Sequence, residues 1–206
     1  MSAIAAAILK NGAILLSDGV TFKVPEDLNV YDDLKRSDSE VVSTNTPKIH
    51  KVNRRVGVSW VGMMIPEIQD RIPGCGETPR EVAHWLSKQL KTYRSDNPGL
   101  LAQKRYNINI GVTGFDKAGA PWGYDLNRKR EFKPACTRLH AGMTTCHLPF
   151  IKPEGTGFTT YLEKYNTPTA DPVDVATRAF TEMIRDYEAQ DMIVGGKIFT
   201  EVLLAG

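Results

Sequence analysis

Residues 7–18 read Ala7-Ile8-Leu9-Lys10-Asn11-Gly12-Ala13-Ile14-Leu15-Leu16-Ser17-Asp18. Two apolar runs, Ala3 to Leu9 and Ala13 to Leu16, flank Asn11-Gly12. That dipeptide favours a type I′ hairpin turn, because both central residues of such a turn need positive φ. The stretch therefore predicts a β-hairpin over residues 2–21 that turns at Asn11-Gly12. Pairing across the turn lays residues 18–21 beside the start of the chain. The N-terminus is then expected inside a sheet, with Ser2 close to Asp18.

Downstream of the hairpin the pattern alternates between strands and helices. Residues 22–47 are polar and charged and read as an excursion with one short strand, Leu28 to Tyr31. Val56 to Val61 reads as a strand running into Gly62, and Met63 to Ile72 as a helix with Pro66 in its first turn. Pro73-Gly74-Cys75-Gly76 is a break. Thr78-Pro79-Arg80-Glu81 opens a helix with a capping box, and Val82, Leu86 and Leu90 with Trp85 give it an apolar face. Asn107 to Phe115 and Trp122 to Leu126 read as strands joined by a turn at 116–119. Asp171 starts another helix, whose face is Val175, Ala179, Met183 and Tyr187, and Ile198 to Leu204 is a closing strand. This order predicts an α+β protein with largely antiparallel sheets, organised as one domain over residues 1–206.

Composition excludes several classes. The 206 residues carry 26 Lys and Arg against 24 Asp and Glu, a formal charge of +2, so charge alone implies neither a nucleic-acid nor a membrane partner. No apolar run approaches the roughly 20 residues of a spanning helix. The three cysteines, Cys75, Cys136 and Cys146, are an odd count without CxxC spacing, which fits a reducing cytoplasm better than a disulfide framework. Arg128-Lys129-Arg130 with Lys133 reads as a solvated basic loop, with a binding patch as the alternative.

The familiar catalytic signatures are missing. HExxH, GxSxG and GxGxxG do not occur, and Gly195-Gly196-Lys197 lacks the earlier glycine of a phosphate-binding loop. The four histidines have no metal-ligand spacing, so neither metal nor cofactor is expected. Ser2 is different. Once Met1 is removed, Ser2 carries a hydroxyl beside a free α-amine whose ordinary pKa, near 7.7–8.0, lets it accept a proton at neutral pH. Nucleophile and general base then sit on one residue.

With those residues in view, the chain resembles the β-type subunits of the 20S proteasome, within the N-terminal nucleophile hydrolases. The opening hairpin ending in Asp18 is similar to theirs, and counting back from it sets Ser2 at the family's nucleophile. Pro47-Lys48-Ile49-His50-Lys51-Val52 resembles the segment with the active-site lysine. The fourteen residues from Lys48 to Gly62 match the spacing of that lysine to the oxyanion-hole glycine. Tyr106 to Asn127 resembles the central strand pair, and Asp191-Met192-Ile193-Val194-Gly195-Gly196 the Asp-x-x-Ser-Gly-Gly ending. The resemblance implies a four-layer αββα sandwich, two largely antiparallel sheets between helix layers. It implies Ser2 as nucleophile, Lys48 as the charge that tunes the amine, and Asp18 as its partner. Gly62 then supplies the oxyanion-facing N–H, and Asp191 positions the N-terminal segment. The substrate it implies is a peptide or a small amide, and the assembly a homo-oligomeric ring whose unfoldase partner, if any, is unidentified.

The chain also departs from that pattern. Serine replaces the usual threonine at position 2. Val194 stands where the family has a serine, and Ala141 or Met143 where it has another. The stretch between Asp18 and Lys48 is longer than usual. These departures keep a second expectation open, a non-catalytic ring or scaffold subunit with the same fold.

Overall fold

In the computed structural model, residues 3–23, 35–37, 39–62, 64–99, 108–147, 157–165, 167 and 169–205 are described. The expected strand at Leu28 to Tyr31 lies outside them, as does Ser2.

The hairpin forms: β1 (Ile4–Ile8) pairs antiparallel with β2 (Gly12–Ser17), Ile4 opposite Ser17 and Ile8 opposite Ala13. The turn, however, sits one residue earlier than expected. The Leu9 N–H donates to Gly12 C=O at 2.8 Å, which leaves Lys10-Asn11 as the two-residue loop, and neither Asn11 nor Gly12 has positive φ. Gly12 is required for another reason. It lies opposite Leu204 of β11 (Phe199–Leu204), and a Cβ there would come within 2.5 Å of the Leu203 carbonyl oxygen. The glycine permits close backbone approach of the neighbouring strand.

The described strands form three sheets with antiparallel pairings throughout. One has four strands in the order β10-β1-β2-β11, where β10 is Thr144–His147. The second has five: β5 (Ile49–Lys51), β6 (Val56–Val61), β7 (Asn109–Phe115), β8 (Pro121–Asn127) and β9 (Ala135–Arg138), in chain order. The third is a small pairing of β3 (Thr21–Phe22) with β4 (Val41–Ser43). Strand β6 has the limits expected from the sequence.

Four helices complete the described fold. The expected helix at 63–72 shortens to α1 (Pro66–Gln69), which Pro66 opens at its first position. In α2 (Pro79–Asp96) the capping box is complete: Thr78 accepts from the Glu81 N–H, and the Glu81 carboxylate accepts from the Thr78 N–H. Helix α3 (Phe158–Tyr165) has no counterpart in the sequence reading. Helix α4 (Pro172–Ala189) starts at Asp171, whose carboxylate accepts from Val173 and Asp174 N–H groups.

Packing explains why residues 3–16 are apolar almost without interruption. Ala5, Ala7, Ile14 and Leu16 pack against Tyr161 of α3 and Phe180, Met183 and Tyr187 of α4. Their alternates Ala6, Ile8, Ala13 and Leu15 pack with Ile49, Phe115, Leu139 and Leu203. Both faces of the hairpin are buried, so alternation gives way to a continuous run. A further cluster joins Val58, Ile110 and Val112 of the five-stranded sheet to Ile68, Val82, Leu86 and Leu90 of α1 and α2. Among the described residues no helix is long and apolar enough to cross a membrane.

Candidate active site

The strand directions gather chain ends at one edge of the sheets. Ala3 precedes β1, Asp18 follows β2, Lys48 precedes β5, Gly62 follows β6, and the 191–198 segment leads into β11. Because the pairings are antiparallel, starts and ends alternate from strand to strand and these residues share one edge.

Asp18 is the centre of that edge. It is fully buried (0%), and three donors converge on its carboxylate: the Lys48 ammonium at 2.8 Å and the Ala3 N–H at 3.0 Å on Oδ1, and the Gly195 N–H at 3.1 Å on Oδ2. Lys48 is itself 4% exposed and donates a second bond to the Val20 carbonyl. Burial raises the Asp18 pKa above the usual carboxylate range, and Lys48 opposes that shift by charge and hydrogen bond. Burial likewise lowers the Lys48 pKa, against the pull of Asp18. Each group is costly to bury alone, and each favours the other's charged form.

The main chain around the pair is tied as tightly. The Asp18 N–H donates to Ala3 C=O, the Trp60 N–H to Lys48 C=O, and the Gly19 and Val20 N–H groups both to Gly195 C=O. The Trp60 bond sets β6 beside Lys48, two residues before Gly62. Gly62 has φ +93, in the region that favours glycine, and is half-buried.

The remaining sequence-predicted residues lie as follows. Ser2 lies outside the described residues, while Ala3, covalently next to it, is the residue whose N–H Asp18 holds. Asp191 belongs to the same loop as Gly195 but faces elsewhere. Its carboxylate accepts from the Ser37 N–H at 2.8 Å and the Ser37 hydroxyl at 2.6 Å, which hold its pKa below the ordinary value. Val194 is fully buried in the cluster that includes Met183, Ile184 and Tyr187. Ala141 is exposed and Met143 packs beside Ile8 and Leu139. The Arg128–Arg130 turn is a solvent-facing 3-10 segment, with Arg130 3.9 Å from Asp125.

Two residues of this edge escaped the sequence reading, Arg36 and Ser37, which come from the polar excursion. No spacing signal marks them, because their partners lie more than 150 positions away. His50, next to this edge, is stacked on Trp60 with ring centroids 5.3 Å apart, a packing role. Among the described residues no three of His, Cys, Asp and Glu converge as a metal-ligand set.

No family model matches the chain, and no curated protein matches its sequence. Among solved structures it is similar to the crystal structure of eukaryotic HslV from Trypanosoma brucei. The match has a TM-score of 0.56 at 15% identity and covers 98% of this chain and 99% of that one. The likeness is one of fold: mixed α and β, with antiparallel sheets.

Proposed function

We propose that this chain is a proteasome-like N-terminal nucleophile hydrolase that cleaves amide bonds, with Ser2 as its nucleophile after loss of Met1. The observation that carries the reading is the Asp18–Lys48 pair, buried at the end of β2 and sharing its carboxylate with the Ala3 N–H. A buried ion pair is a poor route to stability. Its place beside the residue that follows Ser2 is what a tuned nucleophile needs.

The chemistry runs as follows. The Ser2 Oγ attacks the carbonyl carbon of the substrate amide and its proton passes to the Ser2 α-amine. The nearby Lys48 charge lowers the pKa of that amine, so that it is neutral and ready to accept. The Gly62 N–H faces the oxyanion of the tetrahedral intermediate. Collapse breaks the C–N bond, the leaving amine takes the proton from the α-ammonium, and water then hydrolyses the Ser2 ester. No cofactor enters this scheme.

The same reading makes residues 1–206 one domain. The three larger buried clusters become the seams of a four-layer αββα sandwich, helices outside and two sheets within. It also makes the working form a homo-oligomeric ring in the cytoplasm, acting on peptides or small amides. Light scattering coupled to size exclusion tests the ring: a particle of several subunits supports it, and a strict monomer at micromolar concentration contradicts it.

A non-catalytic ring or scaffold subunit is the second reading. It is favoured by Val194, whose side chain fills the core where a supporting hydroxyl would be. Substitution at residue 2 separates the two. Under the hydrolase reading Ser2→Ala abolishes hydrolysis of a fluorogenic peptide amide and Ser2→Thr retains it. An uncleavable residue ahead of Ser2 also abolishes it, because an amide nitrogen is no base. Equal turnover by all three proteins contradicts the reading.

A further inference from the structure

We propose that Arg36, locked in place by Ser37, is a positioning residue that fixes the Val194–Gly195 peptide against Asp18. The inference rests on the catalytic reading above for its consequence, and on hydrogen-bond geometry for its substance.

The Arg36 guanidinium donates through Nη1 to the Val194 carbonyl. The N–H at the other end of that same peptide unit, on Gly195, donates to Asp18 Oδ2 at 3.1 Å. A peptide is planar, so its C=O and N–H turn together. Gripping the carbonyl from outside therefore sets the direction of the N–H inside. A cationic donor on the carbonyl also polarises the unit and strengthens the N–H as a donor. Gly195 has φ +130 and lacks a side chain to resist rotation, so the peptide needs that grip.

Arg36 is in turn over-determined. Its Nη2 pairs with Glu188 at 2.6 Å, and its guanidinium lies over the Phe22 ring, 5.8 Å from the centroid. Its own N–H donates to Asp191 C=O at 2.9 Å, and Ser37 next to it closes two bonds onto the Asp191 carboxylate. Asp191 holds φ +62, a conformation that surrounding contacts must sustain. The excursion between Asp18 and Lys48 thus reaches back to the loop before β11. There it supplies the polar fastening that Val194 cannot. The Gly195 carbonyl extends the consequence, since it holds the Gly19 and Val20 N–H groups and Val20 holds Lys48.

The test compares wild type with Arg36→Met, Arg36→Lys, Ser37→Ala and Ser37→Thr, all at positions with side chains reaching solvent. The first readout is amide hydrogen exchange by NMR at Gly195, Gly19 and Val20, with Ile110 and Val112 of β7 as remote controls. Losing one net hydrogen bond corresponds to roughly a three- to tenfold faster exchange. That is expected at Gly195 in Arg36→Met. Ser37→Ala should show a smaller rise, Arg36→Lys an intermediate one because it lacks the planar fork, and Ser37→Thr wild-type behaviour. Unchanged Gly195 exchange in Arg36→Met overturns the proposal, and so does equal acceleration at the β7 controls. The second readout is covalent modification of Ser2 by a β-lactone. Arg36→Met should lower the maximal rate about tenfold while leaving the half-saturating concentration unchanged. A wild-type maximal rate in that variant overturns the positioning role. A wild-type protein that never forms the adduct overturns the catalytic reading instead, and the exchange data alone then decide on the Arg36 grip.

Discussion

Replacing Lys48 by methionine probes the buried pair directly. Methionine fills a similar volume, so packing changes little. What is lost is the positive charge that faces Asp18 at 2.8 Å, in a site where Asp18 is fully buried. Two routes give the size of the effect. Stranding one partner of a buried pair costs about 3–5 kcal/mol. Alternatively Asp18 takes up a proton, and doing so at pH 7 from an ordinary carboxylate pKa near 4 costs about 4 kcal/mol, at 1.36 kcal/mol per pH unit. The routes agree, so Lys48→Met should lose about 4 kcal/mol at pH 7. The pH dependence has a definite sign. Without Lys48 the folded-state pKa of Asp18 rises further, because the Lys48 charge and its hydrogen bond, which hold it down, are gone. A raised carboxylate pKa favours the folded state at low pH, so the deficit relative to wild type should shrink to about 1.5 kcal/mol at pH 5. Urea denaturation at both pH values, with the slope m checked for constancy, measures it. The double variant Asp18→Asn with Lys48→Met should recover most of the loss, since no buried charge remains. A deficit below about 1 kcal/mol at pH 7, or one that grows as pH falls, would show that Lys48 does not offset the burial of the Asp18 charge.

Four further outcomes are expected. Gly12→Ala forces a Cβ onto the Leu203 carbonyl oxygen and should cost about 2 kcal/mol in the same denaturation assay, whereas an unchanged midpoint would show that β11 can move aside. Val194→Ser puts a hydroxyl into the cluster around Met183 and Tyr187; it should lower stability by about 2 kcal/mol without raising hydrolysis, and a gain in turnover would contradict the reading of Val194 as core. Thr78→Ala should remove about 1 kcal/mol of capping and lower Tm by about 2–4 °C. Its reciprocal partner Glu81 has a depressed pKa from the Glu77 and Thr78 N–H bonds, so its contribution is present above the ordinary glutamate value and lost as pH falls through the depressed one. Glu81→Gln should flatten that acid limb in a pH series of calorimetric scans, and an unaltered limb would contradict the assignment.

How much of this was legible in the sequence depended on how local each feature is. The two strands of the hairpin, β6, the capped start of α2 and the Asp171 cap of α4 are set by neighbouring residues and form where the sequence puts them. The turn register was misread because Gly12 answers to Leu203, a contact 191 positions away that no local turn rule contains. Strand β9 reads Ala135-Cys136-Thr137-Arg138 and faces solvent along much of its length, so it shows no apolar run. The Asp18–Lys48 pair was reached through family resemblance, since thirty positions separate the two. Arg36 and Ser37 had no such help. They lie in a stretch that resemblance marked only as longer than usual, and their partners stand at the far end of the chain.

In the proposed mechanism Ser2, freed of Met1, is a nucleophile tuned by the buried pair. Intact-mass measurement of the purified protein before and after incubation with an epoxyketone or β-lactone, followed by peptide mapping, tests it most directly. The expected result is a mass lacking Met1 and a single adduct on Ser2 that fails to form in Lys48→Met. Retention of Met1 with no adduct at any concentration of the electrophile would contradict it and leave the scaffold reading in its place.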